Sequence, residues 1–182
     1  MSILLRLARG IDDVSRRCAQ IAAWLVLLSC LISAGNAGSR YLFNASSNAW
    51  LEIQWQMFAG ILLLGSAHVL KLNEHVRVDL FYGGRTDRQK LLIDVFGFLV
   101  FFFPAVIFTL YLAWPFFLES FHSREASSNA GGLILWPVKL LLPLGFFLLA
   151  LQGIAELVKR LAALGGSSEP IGEMAAYEKP LQ

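Results

Sequence analysis

The chain has 182 residues, 57% hydrophobic and 15% charged, with a net charge of +2 and a mean hydropathy of +0.61. Its long apolar runs, separated by clusters of charge, exclude an ordinary soluble domain, in which charge is more abundant and interspersed. Nucleic-acid binding has no support because there is no basic face with interleaved aromatics, and Cys18 and Cys30, about 18 Å apart along one helical run, are too distant to bridge.

In residues 1–17, Leu4, Leu7, Ile11 and Val14 recur at helical spacing, with Arg and Asp on the remaining positions. The spacing predicts an N-terminal interfacial amphipathic helix lying on the membrane surface, with Asp12–Arg16 and Asp13–Arg17 as i, i+4 pairs. A frayed basic leader, weakened further by Gly10, is the other reading of this segment. The first span follows over 18–38, near the length needed to cross a bilayer, and reads as a retained anchor rather than a cleaved signal. Its Ala34 and Gly38 have the small-xxx-small spacing of helix contacts.

A short connection, 39–49, leads into a second span over 50–70. Here Glu52, Gln56, Gly60, Leu64 and His68 fall at i, i+4 spacing, a narrow polar and small stripe on an apolar cylinder. Lipid gives no reason to gather such residues, whereas a protein neighbour does. Trp50, Glu52, Gln56, Gly60 and His68 are therefore candidates for a protein-facing interface, Trp50 and Trp55 marking the interfacial aromatic belt. Glu52 has two readings: a carboxylate paired with a partner's basic side chain, or the proton site of a small autonomous carrier.

The loop after span two contains the run HVRVD, with His75, Arg77 and Asp79 alternating against Val76 and Val78. It fits a short extended segment or an interfacial helix, and either caps span two locally or bonds to a partner or to lipid headgroups. Two ligands, His75 and Asp79, are too few to suggest a metal. The third span, 91–114, has Pro104 in its middle and should kink there, and Asp94 near its start snorkels or pairs. A polar connection carries Glu119, His122, Arg124 and Glu125. The fourth span, 136–161, opens on Trp136-Pro137, has Lys139 near one end, Pro143 and Gly145 loosening its first half, and Gln152 and Glu156 as an i, i+4 polar pair. The Gly-, Ser-, Pro- and Glu-rich residues 162–182 read as a disordered cytoplasmic tail.

The expected fold is thus an all-α integral membrane protein of four transmembrane helices, with the membrane domain over 18–161. Twelve Lys and Arg lie in the N-terminal segment, the middle loop and the C-terminal end, against Arg40 and Arg124 in the other two connections. The positive-inside rule then places both termini in the cytoplasm. Haem would need histidines at matching depth on facing helices, and quinone-linked thiol chemistry would need paired cysteines on a loop, so neither is expected. No cofactor or catalytic group is expected, and the chain reads as a non-enzyme.

Four stretches carry a resemblance to a known family: Arg40-Tyr41-Leu42-Phe43-Asn44 before Trp50-Leu51-Glu52; Leu64-Gly65-Ser66-Ala67; Asn73-Glu74-His75-Val76-Arg77-Val78-Asp79; and Glu125 and Ser127 with Ser128-Asn129-Ala130-Gly131-Gly132 running to Trp136-Pro137-Val138-Lys139. Over about 15–161 the chain resembles the small membrane subunit (Q type, DctQ-like) of tripartite ATP-independent periplasmic (TRAP) transporters. The resemblance implies a multi-pass protein of the bacterial inner membrane, non-catalytic, within a sodium-driven importer. A large multi-span permease subunit would hold the solute and sodium sites and move them by an elevator motion. This chain would brace the fixed scaffold and help dock a periplasmic substrate-binding protein, with Glu119, His122, Arg124 and Glu125 as docking candidates and membrane lipids as further partners.

Overall fold

The computed structural model describes residues 2–45, 47–73 and 84–166. The described residues are helical apart from short connections: α1 (Ser2–Phe43), α2 (Asn48–Leu72), α3 (Asp87–Gly97), a π-helical turn (Phe98–Phe102), α4 (Phe103–Ser123) and α5 (Trp136–Leu164). Four helical rods, with α3, the π turn and α4 forming one of them, are long and apolar enough to cross a membrane. Their large apolar side chains are widely exposed, including Trp24, Leu31, Phe58, Phe101 and Phe108, as expected where lipid rather than water is the solvent.

Local chemistry sets the helix ends. Ser47 caps α2, its hydroxyl accepting from the Ala49 N–H, and Asn73 closes that helix in the left-handed conformation. Thr86 and Gln89 form a reciprocal capping box at the start of α3. Pro137 lies in the first turn of α5, where a missing N–H costs nothing.

Where the sequence predicts a kink at Pro104, a π turn immediately precedes the proline. Proline has no N–H and its ring crowds the carbonyl four residues back. The wider turn relieves this, and the Phe103 N–H bonds to the Phe98 carbonyl five residues earlier. The turn also brings the edge of the Phe102 ring against Gly153 of α5, where a Cβ would lie 2.3 Å from it.

α5 is the element that touches all the others. α1 and α2 pack antiparallel to each other on one side of it, with α2 running parallel to α5: Gly60 sits against Leu25 and Leu141, and Gly145 against Leu63. The α3–α4 rod runs antiparallel along another side, with Phe121 against Trp136 near its end. Gly145 and the buried Pro143 therefore allow close approach, where the sequence suggested loosening. The Ala34–Gly38 spacing is not used within the chain: no atom lies within 4 Å of where a Gly38 Cβ would be, and Ala34 is exposed.

Two further expectations change. α1 is unbroken from Ser2 to Phe43, about 63 Å long, so the N-terminal segment is helical as expected but continuous with the first span rather than a separate element. Ala8 and Ser15 of this segment are buried. At the other terminus α5 continues to Leu164 with Ala162 and Ala163 buried, so the region read as tail from 162 begins as helix, and residues 167–182 lie outside the described residues.

Candidate functional site

Polar chemistry collects in two layers, one at each end of α5. Lys139 and Lys159 mark them, about 30 Å apart along the helix, which matches the hydrocarbon thickness of a bilayer. Residues 140–151 between them carry no polar side chain.

The layer at the end of α5 is a continuous network. The Ser15 hydroxyl donates to Gln152 Oε1 at 2.6 Å, and Gln152 Nε2 donates to Asp12 at 2.8 Å and to Glu156 at 3.2 Å. Lys159 Nζ lies 2.8 Å from both Asp12 and Glu156. Arg160 bonds Glu156 at 2.6 Å and Asp94 of α3 at 3.1 Å, with its guanidinium over the Phe98 ring. Arg160 is 2% exposed and Gln152 is fully buried. Each charge has an opposite neighbour, which is how such groups survive burial. The network ties α1, α3 and α5 together.

Sequence reasoning located Gln152–Glu156 and left Asp94 to pair, but it missed Ser15, Lys159 and Arg160 as members. It also paired Asp12 with Arg16 and Asp13 with Arg17; instead Asp13 holds Arg16 at 2.8 Å and Asp12 turns inward to Lys159. The available signals were the spacings of Lys159 and Arg160 three and four residues after Glu156, and a cluster of unlike charges at the ends of two apolar runs.

At the opposite end, Lys139 bonds Glu125 and lies 4.1 Å from the centre of the Phe116 ring. The Lys139 hydrogen bond holds the Glu125 carboxyl below the usual carboxylate range. The 124–135 connection folds back on itself through an isolated bridge, Ala126 to Ile134. Gly131 in this connection rests on the start of α2, where a Cβ would come within 2.8 Å of the Ala49 backbone. Only glycine allows that approach.

Beside this contact lies a small, partly open pocket of about 220 Å³, lined by Asn48, Leu51, Glu52, Trp55 and Asn129. Glu52 is 5% exposed, and its Oε2 has no hydrogen-bond partner among the described residues.

The stripe predicted on α2 turns mostly inward. Gly60 is buried against Leu25 of α1 and Leu141 of α5, and Gln56 Nε2 reaches the Ile134 carbonyl at 3.5 Å. Gly60 thus seats this chain's own helices, where the sequence suggested a face for a protein neighbour. His68 is half-buried, with no partner for its Nδ1 among the described residues, and Trp50 is half exposed. The outward face of α2 carries Leu51, Trp55, Phe58 and Leu62. Glu119, His122 and Arg124 are exposed at the Lys139 end, while Glu125 is engaged by Lys139. His75, Arg77 and Asp79 lie outside the described residues.

Residues 29–163 match the family model of the DctQ component of tripartite ATP-independent periplasmic transporters. No curated protein and no solved structure matches the chain. The chain belongs to the DctQ family: it is a transmembrane small permease subunit of a TRAP transporter, a transport component rather than a member of an enzyme class.

Proposed function

We propose that this DctQ-family chain is the non-catalytic small permease subunit of a sodium-driven importer, bracing the scaffold of a large permease subunit and helping to dock a periplasmic substrate-binding protein. The carrying observation is where its polar groups are spent. The buried charges lie in the end layers and most of them bind one another, while residues 140–151 of the central helix are wholly apolar. A transport site needs polar ligands near mid-membrane, usually on interrupted helices. The architecture is that of a rigid support. Solute and sodium then belong to the large subunit.

The Lys and Arg distribution supports an orientation with both termini on the cytoplasmic side of the bacterial inner membrane and the Lys139 end on the periplasmic side. Exposed Glu119, His122 and Arg124 then face the substrate-binding protein. The outward α2 stripe of Trp50, Leu51, Trp55, Phe58 and Leu62 faces the large subunit or lipid. A carrier working through Glu52 is not favoured, because Glu52 lies only about 6 Å along α2 from Asn48, far from mid-membrane.

The test is co-purification and flux. The tagged chain, extracted from its host in mild detergent, should bring down a large multi-span permease in stoichiometric amount, and proteoliposomes holding this chain alone should move no solute. A chain that purifies alone and carries out proton-coupled flux lost in Glu52→Gln would overturn the proposal.

A further inference from the structure

We infer that the Glu52 pocket receives the cationic tip of a Lys or Arg side chain from the large permease subunit; this rests on the accessory-subunit reading above. The pocket is built on both sides. On one side the Ser47 cap starts α2 so that Asn48, Leu51, Glu52 and Trp55 share a face. On the other, Gly131 presses the connection onto Ala49 and holds Asn129 over the same space.

Glu52 is 95% buried and has no partner among the described residues for Oε2. An acceptor withdrawn from water without compensation is costly, so such a group is kept where something else completes it. The basic residues of this end do not complete it: Lys139 is bonded to Glu125, and Arg40 and Arg124 are exposed.

The lining specifies the missing group. The carboxyl of Glu52 and the amides of Asn48 and Asn129, each with an acceptor oxygen suited to an ammonium or guanidinium, line the space, and so does Trp55, an aromatic of the kind that cations favour. The negative carboxylate disfavours an organic anion. At about 220 Å³ the space is smaller than sites that enclose a drug-sized ligand and suits a side-chain tip. The pocket opens beside the outward stripe of Leu51, Trp55, Phe58 and Leu62, so the cation arrives on an apolar surface such as a neighbouring membrane helix. The ammonium headgroup of phosphatidylethanolamine has the same chemistry and is the competing source.

The experiment co-expresses the tagged full chain with the large permease encoded in its host, and compares wild type with Glu52→Gln. Wild type should recover the permease, and E52Q should recover at least about tenfold less, as expected on truncating one partner of a buried charge pair. The same E52Q chain purified alone should unfold at a temperature equal to or above wild type, since it loses an uncompensated carboxylate. A photoreactive phenylalanine analogue in place of Trp55 should crosslink to a permease peptide containing Lys or Arg. Undiminished recovery with E52Q overturns the inference. So does a lower unfolding temperature of the lone E52Q chain, which would mean that Glu52 acts within its own fold. So does crosslinking to phosphatidylethanolamine with permease recovery unchanged, which would assign the pocket to lipid. If wild type itself recovers no permease, the subunit reading fails, a result distinct from a wild-type complex that ignores E52Q.

Discussion

Arg160 and Asp94, separated by 66 residues in sequence, meet at 3.1 Å where α5 crosses α3, in a site where Arg160 is 2% exposed. Arg160 also holds Glu156 at 2.6 Å, so one guanidinium joins two carboxylates on two helices. Removing it leaves those carboxylates buried with less compensation, and breaking such a pair costs about 3–5 kcal/mol. Lys159 still neutralises Glu156. Arg160→Met should therefore cost about 3 kcal/mol, the low end of that range, read as a lowered unfolding temperature of the purified chain in detergent. Unchanged stability would mean that the α3–α5 contact does not depend on the ion pair.

Glycines on different helices should respond with opposite signs. A Cβ on Gly145 would lie 2.7 Å from Leu63 Cβ and 3.0 Å from its carbonyl oxygen, both fixed points of α2. Overpacking of this kind costs about 1–3 kcal/mol, against a helix-propensity gain of at most about 1 kcal/mol. Gly145→Ala should be net destabilising and Gly145→Val more so. Gly35 has no atom within 4 Å of its Cβ direction, so Gly35→Ala should be neutral or stabilising. Thermal unfolding of the three variants side by side measures the difference.

The contrast between Gly145 and Gly38 also shows what was legible in the sequence. Apolar run length revealed the four helical rods, because crossing a bilayer demands a stretch of fixed extent. A small residue at helical spacing says that a backbone could approach, but not whose. Gly38 therefore looked like a contact and is open, while Gly60 of the α2 stripe looked like a surface for another protein and instead receives Leu25 of α1 and Leu141 of α5. Long-range ion pairs were hidden for a related reason. Sequence spacing reveals i, i+4 partners, so Gln152–Glu156 could be seen, whereas Asp12–Lys159 depends on how helices far apart in the chain are brought side by side. The Glu52 pocket was half visible: its carboxylate stood out in an apolar run, but Asn129 reaches it only because Gly131 lets the connection touch Ala49.

Gln152 should couple to Ser15 more strongly than its own loss suggests. It is fully buried, accepts from Ser15 at 2.6 Å and donates to Asp12 and Glu156. Gln152→Leu strands the buried Ser15 hydroxyl and weakens the hold on both carboxylates, at about 1–3 kcal/mol. Ser15→Ala removes the stranded hydroxyl, so the double variant should be less destabilised than the sum of the two single variants, with a coupling of about 1 kcal/mol. A double-mutant cycle on unfolding free energies checks this; strict additivity would show that the 2.6 Å contact carries no energy.

The Glu125–Lys139 pair should give the 124–135 connection a dependence on acid. Lys139 hydrogen bonding holds the Glu125 carboxyl below its ordinary range in the folded chain, whereas unfolding returns it to about 4.3. A group whose folded value is depressed stabilises the fold above its unfolded value, and that contribution is lost as pH falls through the folded value. Wild type should thus exceed Glu125→Gln in unfolding temperature at pH 7, and the gap should close on acidification below the ordinary carboxylate range. The pair is partly open to solvent, so the gap should be small and should shrink in high salt. Unfolding curves of both proteins across that pH range decide the matter: a gap that persisted in acid would mean that Gln fails to replace Glu125 for reasons of shape, and that charge does not hold the connection against α5.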